Sequence, residues 1–128
     1  MITSFYERLG SDEATIRRLV DAFYDRMDRD PAYAELRALH PPSLDGSRDK
    51  LYWFLCGWTG GEPHYVARFG HPRLRARHLQ VAIASRERDQ WLACMADALR
   101  DSGVEPGLAR ELHEALVPVA DWMRNREG

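Results

Sequence analysis

Apolar residues recur at intervals of three and four along most of this chain, and that rhythm restricts it to helices packed against helices. Ile16, Leu19, Val20, Phe23 and Met27 mark one face, with Tyr24 bordering it one turn beyond Val20. Leu36 and Leu39 mark a short second face, which His40-Pro41-Pro42 stops. Leu51, Phe54, Leu55 and Trp58 form a third stripe, behind a helix cap expected at Ser47. Trp91, Leu92, Met95, Ala98 and Leu99 form a fourth, and Leu108, Leu112, Leu116, Val119 and Met123 a fifth. No segment alternates with period two for long enough to make a strand. The fold class is therefore all-α, with residues 1–128 forming a single domain.

Gly and Pro set the punctuation. A short opening helix over 4–9 ends at Gly10, and Ser11-Asp12-Glu13-Ala14 opens the next with a small polar cap and early acids. Asp30-Pro31 ends that helix and starts a short one over 31–39. Gly60-Gly61-Glu62-Pro63 breaks the middle helix. Residues 62–71 lack periodicity and read as a loop able to hold one turn of helix. Pro72 is expected to open a helix in which Leu74, His78 and Leu79 share a side. A long helix over 86–101 stops at Gly103, and Pro106 opens the last, where Pro118 is expected to cause a kink.

A chain of 128 residues with 45% hydrophobic residues can bury a real core. Its formal charge of -2 gives no basic field for nucleic acid, and no apolar run is long enough to span a bilayer. The start, Met1 to Arg8, lacks the basic-then-apolar layout of a signal peptide, so the expected location is the cytoplasm. Cys56 and Cys94 sit in helical apolar patterns and read as reduced core thiols. Phosphate-binding glycine loops, nucleophile elbows, Cys-x-x-Cys and His-Glu-x-x-His are all absent from the sequence. Four Trp, five Tyr and four Phe suit a pocket for a flat apolar ligand, although cores use aromatics too.

The stretch from Gly70 to Leu79, GHPRLRARHL, holds the most chemistry. Taken alone, any of the five histidines reads as a surface or satisfied core residue. His78 differs in its setting, on the apolar side of a short helix among Arg75, Arg77 and Leu74. A neutral imidazole ligates iron through one ring nitrogen while the other donates to an acceptor, here a backbone carbonyl one turn earlier near Leu74. Tyr24 and Trp91 either fill core volume or aim an O–H and an N–H at a ligand.

Four stretches together resemble the truncated haemoglobins, and within them the second group. They are Val20 to Arg26, Gly60 to Pro63, Gly70 to His78, and Trp91 to Met95. The resemblance implies a two-over-two helical sandwich enclosing haem b, with His78 as the proximal iron ligand. It implies Tyr24 and Trp91 as distal hydrogen-bond donors, with Ser47 and Leu51 at distal positions of the middle helix. Phe54 and Leu74 are placed against the haem, and Arg77 and Tyr65 match positions that bind its propionates. His40 stands where the family usually has Phe or Tyr, and a hydrogen-bonded pair with Tyr24 is expected. Leu51 is apolar, so the middle helix is not expected to supply the main ligand bond. Gly10-Ser11 replaces a double glycine. The implied function is reversible binding of dioxygen and other diatomic ligands. The alternatives are a haem enzyme of peroxidase or nitric-oxide-detoxifying type, served by a separate reductase, and a haem-free helical interaction module. Monomer and homodimer are both compatible with the sequence.

Overall fold

The computed structural model describes residues 3–127. Met1, Ile2 and Gly128, which the single-domain expectation includes, lie outside the described residues. Among the described residues the chain is helical and has no strand. The helices are α1 (Phe5–Arg8), α2 (Glu13–Arg29), α3 (Ala34–Ala38, after a 3-10 turn at Pro31–Tyr33) and α4 (Asp45–Trp58). They continue with α5 (His64–Phe69), α6 (Leu74–His78), α7 (Ser85–Asp101) and α8 (Pro106–Trp122). None is long and apolar enough to cross a membrane.

Caps and periodicity explain the long helices. Asp12 caps α2 by accepting from the Ala14 N–H at 3.0 Å. Glu105 caps α8 by accepting from Gly107 and Leu108, each at 2.8 Å. The inward residues of α2 are the expected ones, including Tyr24. On α7, Met95, Ala98 and Leu99 are buried together with Cys94, while Trp91 and Leu92 are half-buried. α8 buries Leu108, Leu112, Leu116 and Ala120, so Ala120 takes the place expected for Val119 and Met123, which are half-buried. It remains one helix through Pro118, whose ring lies on the exposed side.

α2 packs on α4, α7 packs on α8, and α2 crosses α7 to join the two pairs. This is a two-over-two sandwich. Phe23, Ile16, Met27, Met95, Leu99 and Val20 fill its centre essentially without exposure. Each such side chain contributes about 1.5–3 kcal/mol by leaving water. Both cysteines are buried and unpaired by disulfide, as expected. Burial pushes the Cys56 thiol up to about 11 and the Cys94 thiol up to about 12, so both stay protonated.

Four local expectations need correction. Ser47 does not cap α4: the helix begins at Asp45, Leu44 holds the cap position, and Ser47 falls in the first turn. The loop expected over 62–71 contains α5, which buries only Tyr65 and so shows no repeating stripe to read. Pro72 does not open α6. Arg73 has a left-handed backbone (φ 46°), its N–H bonds the His71 ring at 3.0 Å, and the helix starts at Leu74. Leu79 follows α6 at about half exposure, off the side shared by Leu74 and His78.

The Gly10-Ser11 turn keeps its shape because Ser11 itself adopts φ 52°, at a cost of about 1–2 kcal/mol relative to a right-handed residue. Gly60-Gly61 serves a different purpose. The Tyr6 N–H bonds the Thr59 carbonyl at 2.9 Å, which lays the N-terminal segment over the end of α4. A Cβ on Gly61 would stand 2.6 Å from the Tyr6 ring and 3.0 Å from the Cys56 carbonyl. Gly61→Ala should therefore destabilise the fold by about 1–3 kcal/mol through overpacking. Chemical denaturation of the variant beside the parent checks this.

Candidate functional site

The crossing of α2 over α7 sets four rings in sequence. The Phe23 ring meets Trp91 at 5.3 Å on one side and the edge of Tyr24 at 5.0 Å on the other. Tyr24 in turn meets the His40 ring edge to face at 5.9 Å. His40 reaches this position because it follows α3, where its Nδ1 bonds the Leu36 carbonyl at 2.9 Å. A carbonyl accepts only, so Nδ1 carries the proton and Nε2 is left as an acceptor. The expected hydrogen bond between His40 and Tyr24 is not formed; the two rings touch without one. Among the described residues, no protein acceptor takes the Tyr24 hydroxyl or the Trp91 indole N–H.

Charge in this region follows burial. Burial raises the Tyr24 phenol far above its ordinary value, and the nearby positive charge of Arg48 opposes that rise. The Arg48 guanidinium lies 5.9 Å from the Tyr24 ring centre, held by Asp25 at 2.8 Å and Asp21 at 3.0 Å. Burial lowers His40 below the usual histidine range, the bond to the Leu36 carbonyl partly opposes this, and the positive charge of Arg37 adds to the lowering. His40 is therefore a neutral imidazole at neutral pH. His78, on a different element, stands near enough to act on it electrostatically.

His78 is the last residue of α6 and half-buried. Its Nδ1 bonds the Leu74 carbonyl at 2.6 Å, the acceptor expected from spacing. Again the proton sits on Nδ1, and Nε2 presents its lone pair. This is the donor chemistry that haem iron takes from a histidine, so the residue fits the group the resemblance implies. Leu74 on the same helix is half-buried, as are Leu51 and Phe54 on α4, while Phe69 and Leu79 are 41% and 49% exposed. Tyr65 is buried against Phe69 at 4.9 Å, with the Arg77 guanidinium 5.7 Å from its ring centre. Arg77 also donates to the carbonyls of Pro72 and Phe69, tying α5 to α6.

The chain after α8 grips this segment, which sequence reasoning missed. The Asn125 side chain donates to the carbonyls of His78 at 2.9 Å and Val81 at 2.8 Å. Its oxygen accepts from the Ile83 N–H at 3.0 Å, and its own N–H donates to the Ile83 carbonyl at 2.8 Å. Arg75 reaches back to the carbonyls of Trp122 and Arg124. Arg48 was also missed, although Asp21 and Asp25, one helical turn apart on α2, offered the matching charges.

The structure thus brings Tyr24, His40 and Trp91 to one place, with His78 in electrostatic reach. Ser47 is half-buried on the first turn of α4 and makes no side-chain hydrogen bond to that group. Two cavities among the described residues lie elsewhere. One, of about 10 Å³, is enclosed by Ile16, Leu19, Leu55 and Leu112. The other is a groove of about 540 Å³ on the outer face of α7 and α8.

Known proteins match this arrangement in sequence and in shape. A sequence model of the family described as bacterial-like globin matches residues 4–125. Group 2 truncated hemoglobin YjbI of Bacillus subtilis (strain 168) is 37% identical over 121 residues, spanning 94% of this chain and 88% of that protein. The structure is similar to the cold-adapted truncated hemoglobin of the Antarctic marine bacterium Pseudoalteromonas haloplanktis TAC125. That match has a TM-score of 0.91 at 37% identity and covers 97% of this chain and 99% of that one. It is also similar to the group II 2-on-2 hemoglobin of the plant pathogen Agrobacterium tumefaciens, with a TM-score of 0.92 at 38% identity. There it covers 99% of this chain and 97% of the other. With its helices paired two over two, the chain belongs to the bacterial-like globins and, among them, to the group II truncated haemoglobins.

Proposed function

We propose that this globin reversibly binds dioxygen, and other diatomic ligands, at a haem b held by His78. Family membership implies haem binding, and haem, when bound, supplies an iron with one position open to a gas. The observation that carries the reading is the His78 Nδ1 bond to the Leu74 carbonyl, which fixes the ring and leaves Nε2 to the metal.

In this reading each residue has a defined task. Asn125 and Leu74 orient His78 by holding its backbone and its ring. Leu51, Phe54 and Leu74 would exclude water from a bound macrocycle, and Arg77 and Tyr65 would hold its propionates. Tyr24 and Trp91 donate hydrogen bonds to the diatomic ligand, each worth about 1.5–3 kcal/mol where the acceptor carries negative charge. His40 does not donate, because its proton is committed to the Leu36 carbonyl. Its Nε2 makes no hydrogen bond to the Tyr24 hydroxyl, which stays available to the ligand. Ser47 borders the pocket from α4.

The absorbance spectrum of the purified chain with added hemin tests the core of this reading. The parent should bind one hemin with a sharp Soret band, and His78→Ala should lose the hemin or change its ligation. An unaltered spectrum in that variant would exclude His78 as the ligand. Stopped-flow oxygen release tests the donors. Tyr24→Phe and Trp91→Phe should each speed release by roughly 10–100-fold, with the double variant falling short of the product. His40→Phe should change release by less than about threefold, because His40 holds neither donor. Asn125→Ala removes the side-chain donor that the His78 and Val81 carbonyls share, so hemin transfer to a scavenger globin should become about tenfold faster.

A further inference from the structure

Among the described residues, one cluster of metal-ligating side chains lies outside the haem site. Glu13, Cys56 and His64 each offer one ligand atom, and the three atoms lie within 4.8 Å of one another. They come from three helices: Glu13 opens α2, Cys56 sits in α4 and His64 opens α5. His64 Nε2 meets a Glu13 carboxylate oxygen at 2.7 Å, and the Tyr52 hydroxyl donates to the other at 3.1 Å. The Tyr52 ring stacks on His64 at 6.2 Å, which fixes the imidazole plane.

We propose that Glu13, Cys56 and His64 form a second metal site, suited to zinc and separate from the haem. A thiolate, an imidazole and a carboxylate are the donor types zinc selects, whereas Mg2+ and Ca2+ require oxygen alone. Tetrahedral zinc with Zn–S of about 2.3 Å and Zn–N or Zn–O of about 2.0 Å puts ligand atoms about 3.3–3.6 Å apart. The three side chains reach that spacing by small rotations, with Glu13 and His64 moving apart to admit the ion. Cys56 is fully buried and forms the floor, while the His64 and Glu13 side chains keep 25% and 36% of their surface exposed, which gives an entry path. Binding exchanges the thiol proton for the metal, without redox change. Three protein ligands leave a fourth position for water. A bound ion would clamp α5 to α2 and α4.

Zinc binding to the purified chain, with and without hemin, is measured by competition with a chromogenic chelator. The expected result is one zinc per chain at micromolar affinity or tighter, unchanged by hemin. Cys56→Ala should weaken it by about 100-fold or more, and Cys94→Ala should leave it intact. His64→Gln and Glu13→Gln, at partly exposed positions with little effect on folding, should each weaken it by about tenfold or more. Cobalt added to the hemin-free parent should give near-ultraviolet thiolate-to-metal absorption that Cys56→Ala lacks. Saturating zinc at about 100 times Kd should raise Tm by roughly 5–10 °C in the parent and not in Cys56→Ala. Fewer than about 0.1 zinc per chain at micromolar free metal, or equal affinity in the parent, Cys56→Ala and His64→Gln, would overturn the assignment. Hemin uptake and zinc uptake are read separately, so failure of one leaves the other standing.

Discussion

Small side chains let α2 and α7 approach closely. Cys94 and Ala98 on α7 are fully buried beneath α2, and the Cys94 thiol donates to the Phe23 carbonyl at 3.3 Å. Bulky residues at either place would lift one helix off the other. The placing of Tyr24 and Trp91 hangs on this approach. Tyr24 follows Phe23 directly, and Trp91 stands one turn before Cys94, so the contact that closes the core also fixes the separation of the two polar aromatics. The bidentate pairing of Arg26 with Asp101 closes the other end of the same crossing. That pair is partly exposed and adds little stability by itself, but it restrains the crossing angle.

Electrostatics divides the polar groups around the site into donors and acceptors. Burial keeps the Tyr24 phenol protonated and His40 neutral, and in both cases the charged form is the one that would need water. Backbone carbonyls then choose the tautomers. Leu36 holds the proton of His40 on Nδ1, and Leu74 does the same for His78. Both imidazoles thereby present a bare Nε2, one suited to a metal and the other to a hydroxyl.

Much of this architecture could be read from the residues. The apolar spacing of α2, α7 and α8 made three of the four long helices plain, since each buries a full stripe. The stripes placed Tyr24 and Trp91 beside the core, where the structure has them, while the roles expected of those two and of His78 come from the resemblance rather than from spacing. What escaped has physical reasons. α5 buries one side chain and carries no period. α4 has Leu44 at its cap position and no side-chain cap, so the polar Ser47 three residues on is a misleading start signal. Arg73 adopts a left-handed backbone that sequence assigns to glycine, which displaced the start of α6. Asn125 works through contacts more than forty residues back along the chain, and an amide in a polar tail gives no sign of its partners.

That distant amide has a consequence for biogenesis. As the chain emerges from the ribosome, the segment bearing His78 is made long before Asn125. Until Asn125 docks, the His78 carbonyl has only the Val81 N–H, the Val81 carbonyl lacks its side-chain donor, and the turn into α7 has no brace. The Leu74 carbonyl, in the same helix, orients the imidazole from the start, but the backbone beneath that ring firms only when α8 and the residues after it have docked.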